Sequence, residues 1–90
     1  MSWQVYMIRT SCGKLYTGIS TDIDRRFKEH CEMFEKKAGK GAKFFRGHEP
    51  REIVYSQDFE SRSEATKREV EIKRMSVLKK QTLICEASNR

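Results

Sequence analysis

The sequence predicts a small mixed α/β (α+β) domain whose elements run in the order β-β-α-β-α-α. Three observations carry this. Two apolar, aromatic-rich runs, Trp3 to Arg9 and Leu15 to Ser20, stand on either side of a short turn containing a glycine. Apolar residues then recur at helical spacing through Ile23, Phe27, Cys31 and Phe34. A third run, Glu52 to Phe59, is followed by Ser61 and Glu64, a capping-box pair that opens another helix.

Thr10-Ser11-Cys12-Gly13 carries turn chemistry and is too short for a parallel crossover, so the first two strands form an antiparallel hairpin. Both strands are apolar on both alternating faces, which predicts helices covering much of the sheet. Thr21-Asp22-Ile23-Asp24 reads as a helix start, with Thr21 as N-cap and carboxylates in the first turn. That helix runs to about Phe34. Lys36 to Gly47 is rich in glycines and cations and reads as a loop, which Pro50 closes. The helix after Ser61 runs to about Met75, where Ser76 breaks or re-caps the chain. Val77, Leu78, Leu83 and Ile84 suit a short final helix packed on the core, and Ala87 to Arg90 reads as a frayed tail.

Ninety residues make one domain, 1–90, with its core over about 3–84. A hydrophobic content of 37% beside 36% charged residues indicates a globular chain and excludes a disordered one. The net charge of +6 favours a polyanionic partner, nucleic acid or an anionic membrane surface. Cys12, Cys31 and Cys85 are widely spaced and odd in number, with no C-x-x-C pair, so neither a zinc ribbon nor a thioredoxin-like redox pair is indicated. Reduced thiols in a cytoplasmic protein are the simplest account. No apolar run approaches membrane-spanning length, and the first residues lack a signal-peptide pattern.

The residues that carry chemistry are Tyr6 and Tyr16 on the hairpin, then Arg26 and His30 one turn apart on the first helix. Two phenols followed by a guanidinium and an imidazole suit phosphodiester chemistry. With Ile23 set at zero on a 100° wheel, Phe34, Phe27 and Cys31 fall at about 20°, 40° and 80°. Arg26 and His30 fall at about 300° and 340°, side by side on the edge of that stripe, while Arg25 points elsewhere. Taken singly, each has a plainer role: a carboxylate-paired arginine, a satisfied core-edge histidine, strand-packing aromatics. On the second helix Glu69 lies on the face of Ala65 and Ile72, whereas Glu64 and Glu71 turn to solvent. A carboxylate among core-facing residues needs a cation, either a salt bridge to a residue such as Arg26 or a metal. A single hard oxygen ligand backed by waters and a phosphate suits Mg²⁺. Between Lys36 and Arg51 six cations, Lys40, Lys43 and Arg46 among them, face the single acid Glu49, with Phe44 and Phe45 interleaved. That is a surface for phosphate contact and base stacking, although a charge run is more often only a solvated loop.

Together these residues resemble the GIY-YIG nuclease superfamily. Its two signatures correspond to Gln4-Val5-Tyr6 and Tyr16-Thr17-Gly18, its arginine and histidine match Arg26 and His30, and its metal-binding glutamate matches Glu69. Leu15 to Ile19, Lys40-Gly41-Ala42-Lys43 and Arg68 to Arg74 are similar to the small stand-alone bacterial members. The resemblance spans Trp3 to Ile84. Gln4 stands where the signature has glycine and Thr17 where it has isoleucine, and an asparagine that several family nucleases carry after the glutamate has no clear match. The resemblance implies a three-stranded antiparallel sheet flanked by helices. It implies a divalent-metal-dependent endonuclease acting on DNA in repair or recombination, with DNA favoured over RNA. Glu69 would hold one Mg²⁺ or Mn²⁺, and Tyr6 or Tyr16 would orient or deprotonate the attacking water, with His30 assisting. Arg26 would stabilise the phosphoryl transition state, and Gly18 would let the backbone pass close to the site. Lys40, Lys43, Phe44 and Arg46 would bind nucleic acid. The competing expectations are a non-catalytic nucleic-acid-binding module that keeps the fold, and a protein-interaction domain that meets an acidic partner.

Overall fold

The computed structural model describes residues 2–88. The hairpin strands are β1 (Trp3–Thr10) and β2 (Leu15–Ser20), followed by α1 (Ile23–Lys36), a short 3-10 helix (Lys43–Arg46), β3 (Pro50–Phe59), α2 (Arg62–Lys73) and α3 (Val77–Ser88). All three strands are antiparallel in the order β2-β1-β3, so β1 is central. The predicted order and sheet are both present, with the 3-10 helix as an addition inside the expected loop.

Val5, Tyr6, Met7 and Ile8 are each no more than 1% exposed, because β1 is covered on both faces. Tyr6 and Ile8 point into a cluster with Met33 of α1 and Phe45 of the 3-10 helix. Val5 and Met7 point the other way, to Ala65 and Ile72 of α2 and Ile84 of α3. A register shift between Met7 and Ile8 pairs them with Tyr55 and Ile53, skipping Val54. This bulge keeps each β3 side chain in the cluster its β1 partner faces.

Several boundaries differ from expectation for local reasons. Asp22, not Thr21, caps α1, because its carboxylate accepts from the Arg25 N–H at 3.1 Å. Ser61 accepts from the Glu64 N–H at 3.2 Å, and Ser76 re-caps the chain by accepting from Lys79 N–H at 3.1 Å. In α3, Val77 and Leu78 are exposed at 63% and 76% instead of packed, and the core is met at Leu83 and Ile84. The helix also continues through Ala87 and Ser88, which the sequence reads as tail; residues 89–90 lie outside the described part. All three cysteines are free thiols. Among the described residues no helix is long and apolar enough to cross a membrane.

Thr17 lies opposite Met7 and is 4% exposed, and its hydroxyl has no hydrogen-bond partner among the described residues. An unpaired buried hydroxyl costs about 1–3 kcal/mol. Thr17→Val keeps the shape and removes that cost, so it is expected to stabilise the fold by about 1 kcal/mol. The gain is read as a higher urea midpoint at unchanged m. An unchanged or lower midpoint would mean that the hydroxyl is satisfied in solution.

Candidate active site

The site begins at Gly18. It pairs with Tyr6 across the hairpin, and a Cβ there would lie 2.6 Å from Tyr6 Oη and 2.8 Å from its Cζ. Only a residue without a side chain lets the Tyr6 ring lie over β2. The ring of Tyr16, two pairs further along, has its centroid 6.4 Å from that of Tyr6. The room expected at Gly18 is therefore filled by a phenol.

α1 is turned relative to expectation. Its buried and half-buried positions centre on His30, at about 340° on the wheel, where the apolar stripe alone centres at about 35°. Met33 is in the core at 3% exposure, and Cys31 is only at its border. His30 is not at the edge of the core but fully buried, at 0% exposure. Both of its ring nitrogens are engaged, Nε2 with Tyr6 Oη at 3.0 Å and Nδ1 as acceptor from the Ala42 N–H at 3.1 Å. Burial, then the nearby Arg26 charge, depress its pKa to about 4 against the opposing effect of Glu29. The ring is therefore neutral at pH 7. With Nδ1 accepting, the hydrogen-bond network assigns the proton to Nε2, so His30 donates to the Tyr6 oxygen.

Arg26 is half-buried, as expected, and Arg25 is exposed. Arg26 Nη1 donates to Glu29 Oε1 at 2.9 Å and to the Lys40 carbonyl at 2.6 Å, and its positive charge acts on the Tyr6 phenol. Burial works against its charge, but the bond to Glu29 and the electrostatic effects of Tyr6 and Glu29 outweigh it, leaving the pKa raised. Burial first, then Tyr16 and Glu69, push the Tyr6 phenol far above its usual range, while Arg26 pulls it down. Tyr6 is thus where the predicted residues meet: His30 by hydrogen bond, Tyr16 by ring contact, and Arg26 and Glu69 through their charges.

Glu69 comes from α2, and its charge acts on the Tyr6 phenol. Its side chain is 18% exposed, and it pairs with Lys73 Nζ at 3.4 Å, not with Arg26. Among the described residues no three His, Cys, Asp or Glu side chains gather as a metal cage. One largely buried carboxylate whose charge acts on the Tyr6 phenol still fits a hard divalent ion that takes its other ligands from water and phosphate.

Lys40, Lys43 and Arg46 are exposed. Phe44 is half-buried, stacked on His48 at 4.3 Å between centroids and 5.6 Å from Tyr16. Phe45 departs from its expected role as a stacking surface: at 0% exposure it is core, T-shaped against Tyr16 at 4.8 Å. Sequence reasoning also missed Glu29, although its spacing of three from Arg26 was a readable signal. Nothing local marked the backbone groups of Lys40 and Ala42.

An antiparallel β2-β1-β3 sheet that sets two phenols against an arginine–histidine helix, with a glutamate arriving from the next helix, defines a GIY-YIG-type α+β domain. Residues 2–81 match the GIY-YIG catalytic domain, and the chain belongs to that family. It is 42% identical over 83 residues to the UPF0213 protein DP2720 of Desulfotalea psychrophila, covering 92% of this chain and 71% of that one. It is 38% identical over 86 residues to the UPF0213 protein YhbQ of Escherichia coli, covering 96% and 80%. The solution NMR structure of the UPF0213 protein BH0048 from Bacillus halodurans superposes with a TM-score of 0.57 at 35% identity, covering 94% of this chain and 84% of that one.

Proposed function

We propose that this chain is a divalent-metal-dependent endonuclease that hydrolyses phosphodiester bonds in DNA, in the processing of branched or damaged strands. The observation that carries this reading is the buried Tyr6–His30 hydrogen bond at 3.0 Å, with the charges of Arg26 and Glu69 both acting on that phenol. Packed aromatics alone would not need a buried phenol hydrogen-bonded to a buried imidazole, with a guanidinium and a carboxylate acting on it.

Glu69 would hold the Mg²⁺ or Mn²⁺, which when bound supplies Lewis-acid stabilisation of charge on the phosphate and leaving oxygen. Tyr6 is 1% exposed and hydrogen-bonded to His30, so it anchors the network. Tyr16 is half-buried beside it and is the phenol that a water or substrate can touch, so it orients the attacking water. Arg26 keeps N–H groups beyond its bonds to Glu29 and Lys40, and these meet the crowded phosphoryl group. His30 does not accept a proton here. As a neutral Nε2–H donor it holds the Tyr6 oxygen in place. Lys40, Lys43 and Arg46 take the strand's phosphates, with Phe44 beside them.

The test is cleavage of single-stranded, duplex, flap and junction DNA with and without divalent metal. Nicking of at least one substrate in Mg²⁺ or Mn²⁺, lost in chelator, is expected. Salt-sensitive binding with no cleavage of DNA or RNA would instead make the chain a binding module.

A further inference from the structure

We propose that the backbone of Lys40-Gly41-Ala42 is a positioning clamp for Arg26 and His30, and that Gly41 is the residue that lets it seat. The proposal rests on the hydrolytic reading above for its consequence, but not for its geometry.

Three consecutive residues grip α1. The Lys40 carbonyl accepts from Arg26 Nη1 at 2.6 Å, and the Ala42 N–H donates to His30 Nδ1 at 3.1 Å. Between them Gly41 lies flat on the helix backbone. A Cβ there would collide with the Glu29 carbonyl oxygen and lie 2.9 Å from both the Glu29 carbonyl carbon and His30 Cα. These are backbone atoms inside a helix and cannot move aside, so any side chain lifts the segment. Gly41 is not among the residues with positive φ, so the demand for glycine is steric. Gly47, in the same loop, has nothing within 4 Å of its Cβ position and serves as the internal control.

The consequence is chemical. The Ala42 N–H fills the Nδ1 lone pair and so leaves the His30 proton on Nε2, directed at Tyr6. Freed of that donor, the imidazole can exchange tautomers, and Nε2 would then accept from the Tyr6 hydroxyl. The clamp therefore decides which way the phenol's own proton points. The Lys40 carbonyl does the equivalent for Arg26, occupying one nitrogen and orienting the rest of the fork. This gives a role to the Lys40-Gly41-Ala42-Lys43 segment that surface charge alone does not.

The experiment is ¹⁵N NMR of the His30 ring together with steady-state cleavage, on wild type, Gly41→Ala and Gly47→Ala. The titratable groups around His30 are Tyr6 from β1, Tyr16 from β2, and Arg26 and Glu29 from α1; the clamp itself presents only backbone. Wild type is expected to show a neutral ring protonated on Nε2. In Gly41→Ala the ring should show mixed tautomers and titrate closer to its ordinary value. Cleavage should fall about 10²-fold in kcat with KM little changed, the size expected of a misplaced site. Gly47→Ala should match wild type in both respects. A wild-type ring protonated on Nδ1 overturns the proposal whether or not the variant folds. A folded Gly41→Ala that keeps the wild-type ring signature and rate overturns it as well. If wild type cleaves nothing while the ring responds as described, the clamp stands and the hydrolytic reading fails.

Discussion

Glu69→Ala is expected to lower cleavage by at least about 10³-fold while leaving DNA binding intact. The magnitude follows from the several kcal/mol of transition-state charge stabilisation that a bound divalent ion supplies, at about 1.4 kcal/mol per factor of ten. Glu69 is the one inward carboxylate in the predicted set, and no cage of three acidic, histidine or cysteine ligands exists among the described residues to take its place. An ion held through one carboxylate alone is held weakly and depends on substrate phosphate for further ligands. Binding should hold or tighten, because the change removes a negative charge from the surface proposed to meet a polyanion and releases Lys73. The fold should barely notice, since an ion pair whose lysine is 54% exposed is worth at most about 1 kcal/mol. The result separates two roles for the same side chain. If Glu69 is only the partner of Lys73, the variant loses a fraction of a kcal/mol and cleaves as before. Undiminished cleavage would remove Glu69 from the site.

How far the sequence leads is visible in α1. Its period was legible, and with it the helix, but its phase was not. The wheel placed the buried face on Phe27, Cys31 and Phe34, where the core is centred on His30 and takes in Met33. Apolarity sets the phase only when polar residues stay out of the core. His30 enters because its two nitrogens are satisfied by Tyr6, from another strand, and Ala42, from a loop twelve residues on. Neither partner is readable from a helical window. The hairpin was more legible, because alternation on both faces of β1 and β2 already demanded helices above and below. The loop was the least legible. Its cations suggested a solvated surface, but Phe45 is buried and Gly41 is pressed on α1, and both follow from tertiary contact. In α3 the apolar letters Val77 and Leu78 misled, because the helix meets the core only from Leu83 onward.

The same buried imidazole should make the protein unusually sensitive to mild acid. In the unfolded chain His30 takes up a proton near its ordinary pKa of about 6.5, while in the folded state burial and Arg26 hold it to about 4. Between those values the unfolded state binds more protons, so stability is complete above about pH 6.5 and is lost as pH falls toward 4. The slope approaches about 1.4 kcal/mol per pH unit, which amounts to about 2 kcal/mol between pH 7 and pH 5. Carboxylates add their own losses mainly below pH 5, so this window isolates the histidine. Urea unfolding at pH 7, 6 and 5 reads the effect directly. His30→Gln keeps an amide N–H for Tyr6 and a carbonyl for the Ala42 N–H, yet cannot titrate. It should be nearly flat across the window even if its stability at pH 7 is lower. A wild type as flat as that variant would mean that the folded imidazole protonates at its ordinary value, and the neutral Nε2–H donor to Tyr6 would have to be abandoned.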